Sequence, residues 1–343
     1  MPGDGDAPSD RLRERANESR TKLWFLLEAD RRLVTGLLVA LVFVVFVAAG
    51  YFHPVIESAI RKTDSVDTLF QGFLTATITG VTLVLTLNQL VLSQELGAVG
   101  DQRERMEEAM AFREDVADLL GTPVSPSRPA QFLRALVQVA GERARDLDEA
   151  VSGTDEELES VVDDLTESLI GNADRVAAGL DDAQFGRFQV ISSALNFNYS
   201  WKVFTAQRVQ ARYEDELTEE GTQALERLTE TLKLFGPARE HFKTLYFQWD
   251  LINLSRHILV ASLPALLVSG SMVIYFNFET YSATLFGVET LVLVIATAAT
   301  VSVLPFLILL AYVMRIATVT KHTLSIGPFI LRETDDVAEV EWE

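Results

Sequence analysis

Thr75, Thr79, Thr82, Thr86, Gln89 and Ser93 recur at intervals of four, three, four, three and four residues, and Thr68 lies seven before the first. At 3.6 residues per turn this spacing stacks their hydroxyls and amides into one narrow stripe on a helix. The remainder of the segment is Leu, Val, Ile, Phe and small residues, so the stripe crosses an apolar helix and must face protein or water. Two kinds of chemistry are open to it. The hydroxyls can bond to carbonyls of the preceding turn or to a neighbouring helix, which satisfies them without further consequence. Alternatively, copies of the helix can surround an axis so that the stripe lines a wet path, as pore-facing hydroxyls and amides do in channels. Thr77 and Asn88 lie on the opposite face with Gly80, a pattern that suits packing against a partner helix.

Glu289 is a second candidate, a carboxylate expected about one turn into another apolar segment. It reads either as an interfacial glutamate or, paired with Arg61 or Lys62, as a mouth charge or proton-sensitive group. Ala261, Ala265 and Ser269 form a small-residue run that permits close helix contact, and Pro264 and Pro305 interrupt helix hydrogen bonding and so predict kinks. The aromatic groups Phe197, Tyr199, Trp201, Phe204 and Phe242, Tyr246, Phe247, Trp249 read as domain core or interfacial belt.

Other chemistries lack their residues. Cysteine is absent, which removes disulfides, thiolate catalysis and cysteine metal sites. His53, His241, His257 and His322 have neither the i, i+4 partner nor the acidic motif of a metal site, so neither a metal nor another cofactor is expected. There is no phosphate-binding glycine loop, nucleophile elbow or kinase signature, so enzyme is the class with least support.

Four segments are long and apolar enough to carry such residues across roughly 30 Å of hydrocarbon. They are Leu33 to Phe52, Val66 to Leu92, Ile258 to Phe276 and Leu285 to Met314. The first two and the last two are joined by short loops, giving hairpins over 33–92 and 257–314. Segment 1–32 precedes them, an acidic region 93–256 lies between them, and a tail 315–343 follows. Basic residues flank the spans on one side: Arg20, Lys22, Arg31 and Arg32, then Arg103 and Arg105, then Arg256, then Arg315 and Lys321. Only Arg61 and Lys62 fall opposite, which predicts cytoplasmic termini and a cytoplasmic middle region. The polar first thirty residues argue against a standard signal peptide and leave an internal signal anchor open.

The middle region reads as helical throughout. Leu133, Val137, Ala140, Ala144, Leu147 and Val151 form one apolar stripe, and Leu158, Val162, Leu165, Leu169 and Val176 another. Ser152-Gly153 with the capping-box spacing of Thr154 and Glu157 predicts that the two fold back as an antiparallel hairpin. The run Gly121 to Pro129 is the strongest break. Val190, Ala194, Phe197, Trp201 and Phe204 predict one further helix, and Gly236-Pro237 is expected to start the last. The resulting class is all-α: a four-span integral membrane protein with a helical cytoplasmic domain inserted between spans 2 and 3.

The 343 residues carry a formal charge of -20 although 48% are hydrophobic, a combination that suits a membrane protein with an acidic water-facing part. Acid excess with few lysines, together with this layout, resembles the uncharacterised multi-pass membrane proteins of haloarchaea. That resemblance implies a high-salt habitat and no particular activity. Negative charge without basic clusters argues against nucleic acid. The partners expected are the lipid bilayer, further copies of the chain in a homo-oligomer, and a cytoplasmic protein. Two functions follow: a channel or transport-related protein with a path lined by span 2, or a membrane-anchored scaffold or signalling protein.

Overall fold

The computed structural model describes residues 24–52, 64–181, 183–281 and 283–323. A π-helical turn, Trp24–Glu28, leads into α1 (Arg31–Phe52) and α2 (Ser65–Glu95). Then come α3 (Val99–Leu119), α4 (Pro129–Val151), α5 (Glu156–Leu180), α6 (Phe188–Leu195), α7 (Tyr199–Arg212) and α8 (Glu219–Tyr275). After a 3-10 turn, Phe278–Thr280, the strands β1 (Thr284–Leu285) and β2 (Val288–Glu289) pair antiparallel, and α9 (Thr290–Thr323) follows. Four of these helices, α1, α2, α8 and α9, are long and apolar enough to cross a membrane.

The chain forms two compact units. The span unit comprises Trp24–Leu96 with Gln248–Thr318; the helical unit is built on Gly97–Phe247. Helix α8 contributes residues to both, up to Phe247 in the helical unit and from Gln248 in the span unit.

In the span unit, Val66 and Phe70 of α2, Met272 of α8 and Leu291, Ile295 and Ala299 of α9 form one buried cluster, with Phe46 of α1 packed against it. Val84, Leu254, Ile258 and Tyr312 form a second. Ala29, Val34 and Ala311 form a third. At Gly50 a Cβ atom would collide with the Val292 side chain, so the absence of a side chain there lets α1 approach α9. The opposite surfaces remain apolar and exposed: Leu37, Leu41, Val44 and Val45 on α1, Val260, Leu263 and Leu267 on α8, and Phe306 on α9. Apolar surface of this extent on helices of this length suits contact with lipid.

The helical unit is centred on the α4/α5 hairpin. Every residue of the two stripes read from the sequence is buried, Leu133 through Val151 on α4 and Leu158 through Val176 on α5. Gly153, at φ 80°, provides the left-handed turn between them. The cap differs from expectation by one residue. Asp155 accepts hydrogen bonds from the Glu157 and Leu158 amides, whereas the Thr154 hydroxyl donates to the Val151 carbonyl and serves the preceding helix instead. The break at Gly121 to Pro129 is present, with Gly121 at φ 61° and Pro129 as the first residue of α4.

Three further expectations are corrected. The helix read over Val190 to Phe204 is two helices, α6 and α7, interrupted at 196–198. There the Asn172 side chain donates to the Asn196 carbonyl at 2.9 Å, taking up a group that helix continuation would have used. Gly236-Pro237 does not start a helix, because α8 runs through it from Glu219. Gly236 is where the Tyr199 ring packs, since a Cβ would stand 2.7 Å from its Cε2 atom. The fourth span does not begin at Leu285. Phe286 and Gly287, at φ 54° and φ 78°, turn the chain into the β1/β2 hairpin, and the helix starts at Thr290. Helices α8 and α9 continue through Pro264 and Pro305.

Candidate functional site

The face by which α2 packs in its own unit bears Val66, Phe70, Thr77 and Val84, all buried. Asn88, also on this side, accepts a hydrogen bond from the Ser255 hydroxyl at 2.7 Å. This is the packing face that Thr77 and Asn88 suggested. The stripe lies half a turn away, and Thr75, Thr79, Thr82, Thr86, Gln89 and Ser93 are all exposed. No residue of the described chain covers them.

Their hydroxyls are nevertheless bonded. Thr75 donates to the Gln71 carbonyl at 3.1 Å, Thr79 to Thr75 at 2.9 Å, Thr82 to Ile78 at 3.0 Å and Thr86 to Thr82 at 3.0 Å. Ser93 donates to the Leu90 carbonyl at 2.7 Å. Each hydroxyl therefore gives its proton to its own helix and keeps acceptor capacity facing outward. Gln89 differs: among the described residues its carboxamide makes no hydrogen bond. Exposed Ile78, Leu83, Leu85 and Leu90 flank the line.

A second polar line, not singled out by sequence, lies inside the span unit. Ser255, Ser262 and Ser269 recur every seven residues on α8, about 10.5 Å apart at 1.5 Å per residue. All three are buried, as are Ala261 and Ala265 beside them. Ser255 reaches Asn88 of α2, and Ser269 donates to the Ser302 hydroxyl of α9 at 2.8 Å. Ser302 in turn donates to the Ala298 carbonyl at 2.8 Å. Small residues here allow close approach, and their hydroxyls bond across the gap. The run Ala261, Ala265, Ser269 carried part of this signal.

The line leads toward a charged cluster that sequence reading missed. Arg31 Nη2 donates to Asp250 Oδ2 at 2.9 Å, and the guanidinium sits 5.0 Å from the centre of the Tyr312 ring. Arg31 and Asp250 are 9% and 8% exposed, so this is a buried ion pair. Arg31 Nε is buried and has no hydrogen-bond partner among the described residues. Arg315, also buried, donates to the Ala29 carbonyl. The Tyr312 hydroxyl lies 3.3 Å from Nδ1 of His257, which itself lies 2.7 Å from the Asn253 carbonyl. A carbonyl only accepts, so Nδ1 is the protonated nitrogen in that contact. Arg31 and Arg315 were visible as flanking charges. Asp250 was not, because a pairing across 219 residues leaves no local pattern.

Glu289 occupies the last position of β2, before α9 begins, and its register partner is Thr284. It is thus not one turn into a span. Arg61 and Lys62, its suggested partners, lie outside the described residues, as do His53 and the side chain of His322. Among the described residues no group of three or more His, Cys, Asp or Glu could hold a metal ion. Of the aromatic groups, Phe197 is buried with its ring centre 4.8 Å from that of Phe235, and Trp249 is exposed.

No curated protein and no solved structure matches the chain. A match that covers residues 2–343 shows that the chain belongs to the family of unknown function DUF7972.

Proposed function

We propose that this membrane protein assembles from several copies of the chain through α2, and that the assembly encloses a polar path for a small solute or ion lined by the threonine stripe. The observation that carries this reading is the direction of the stripe, half a turn from the face that packs in its own unit. Lipid would leave the Gln89 carboxamide unsatisfied, whereas a second copy or enclosed water would satisfy it. Outward acceptor oxygens repeated at every turn suit partial dehydration of a cation or a polar solute. The basic flanks support a cytoplasmic position for both termini and the helical unit, at the cell membrane. The acidic excess fits a salt-rich interior of haloarchaeal type. No catalytic step and no cofactor belongs to the reading.

A specific observation favours the scaffold alternative as well. Every residue of α3 from Val99 to Ala111 is exposed, with Val99, Met106 and Met110 on one line. Such a line suits a cytoplasmic protein partner. Flux separates the two readings. Full-length protein in liposomes should release an entrapped ion or small polar solute, and Thr82→Phe together with Thr86→Phe should block release without altering incorporation. Liposomes that remain tight to a panel of cations, anions and neutral solutes would favour the scaffold.

A further inference from the structure

Phe286 is 96% exposed and sits at φ 54° in the loop that closes β1 on β2, followed by Gly287 at φ 78°. Two successive positive φ values define a two-residue hairpin turn whose first position ordinarily takes Asn, Asp or Gly. A bulky aromatic in left-handed backbone is an outlier, and an apolar ring exposed to water adds a second penalty. Both penalties fall on one residue, which calls for a compensating environment.

The surroundings supply one. Leu285 is 52% exposed, Tyr51 and Phe52 at the end of α1 are 60% and 74% exposed, and Tyr275 at the end of α8 is 79% exposed. These helix ends are brought together by the cluster of Phe46, Val66, Phe70, Met272 and Leu291. Exposed aromatics therefore gather at one end of the span unit. Trp24 and Trp249, also exposed, stand toward the opposite end, before α1 and early in the span portion of α8. The 22 residues of α1 cover about 33 Å, close to the thickness of a bilayer's hydrocarbon core. The exposed Leu and Val surface of α1 and α8 runs between the two groups.

We infer that the Thr284–Glu289 hairpin is a lipid anchor, in which Phe286 enters the boundary between headgroups and acyl chains while Glu289 stays at the polar base. The occupant of this surface is bilayer lipid, because the ring is continuous with apolar surface that spans the hydrocarbon and lies at the level where aromatic belts form. The inference rests on the reading of α1, α2, α8 and α9 as membrane spans.

The cysteine-free chain permits a direct test. Phe286→Cys and, as a second reporter of the same tip, Leu285→Cys would each carry a nitroxide in full-length protein reconstituted into phosphatidylcholine vesicles. Val260→Cys, midway along the exposed face of α8, and Val124→Cys, in the exposed loop between α3 and α4, serve as references. Collision with dissolved oxygen should exceed collision with an aqueous nickel chelate at both hairpin sites, at a depth shallower than Val260. Nickel access equal to that at Val124 would place the hairpin in water and overturn the inference. Low access to both reagents would mean that protein, such as a second copy, covers it, and would overturn it equally. Nickel access at Val260 itself would instead defeat the spans on which the inference rests.

Discussion

The span unit carries two polar lines, the threonine stripe of α2 and the serine line of α8, and they face opposite ways. Both recur at helical spacing on an apolar helix. The serines, however, sit where α8 meets α2 and α9, and Ser255 and Ser269 donate across the interface to Asn88 and Ser302. Among the described residues the threonines have no such neighbour. Periodicity thus identifies a face but not what covers it. Side-chain size separates the two lines better than polarity does: serine beside alanine lets helices close up, whereas threonine with glutamine keeps a bulkier surface.

The largest effect should come from the charges at the end of the buried line. Asp250→Ala leaves the Arg31 guanidinium buried and unpaired, and removing one partner of such a pair costs about 3–5 kcal/mol. Thermal unfolding in detergent should show that loss in full for Asp250→Ala and for Arg31→Ala alike. A near-neutral Asp250→Ala would mean that the pair is open to water. Next comes overpacking of the serine line. Ser269→Leu should destabilise by about 1–3 kcal/mol, while Thr82→Leu on the exposed stripe should leave the stability of the single chain within about half a kcal/mol. Equal losses at the two sites would erase the distinction between an inward and an outward line.

A smaller effect comes from a polar contact of the helical unit, set in water. Asp163 of α5 faces Asp148 of α4, whose carboxylate also accepts from Thr166 at 3.1 Å. Partial loss of hydration, then the hydrogen bond with Asp148 and that group's charge, raise the Asp163 carboxyl above the ordinary 3.8. A carboxyl with a raised value in the folded state binds its proton more tightly there than when unfolded. Its contribution is therefore present at acid pH and lost as pH rises through the folded value. Asp163→Asn should raise the melting temperature at pH 7 and leave it unchanged near pH 3, as followed by circular dichroism. A gain that persists at acid pH would show that charge is not the cause.

Much of the architecture was legible because it is local. The stripes of α4 and α5 each repeat on one face, and both are buried throughout. The spans show because long apolar runs have few alternatives. What escaped reading depends on remote partners. The period that links Val190 to Phe204 passes across the break at 196–198, which the side chain of Asn172 on another helix helps to hold. Gly236-Pro237 looks like a start, but the Tyr199 ring explains the glycine. Leu285 to Glu289 is apolar enough to pass for helix, and only the two left-handed residues at its centre divert it. The stripe itself was legible as a face, whereas its outward direction required the packing of Val84 and Asn88 to be known.

The central claim is that the stripe faces enclosed water shared between copies of the chain. Single cysteines at Thr75, Thr79, Thr82, Thr86, Gln89 and Ser93, with Thr77, Val84 and Asn88 as references on the buried face, would be exposed to a small charged thiol reagent in proteoliposomes. Thiolate chemistry requires water, so the account predicts rapid modification at stripe positions, protection at the references, and loss of solute release as the stripe is modified. Stripe cysteines as unreactive as the references would mean that lipid or dry protein covers the line, and would contradict the account.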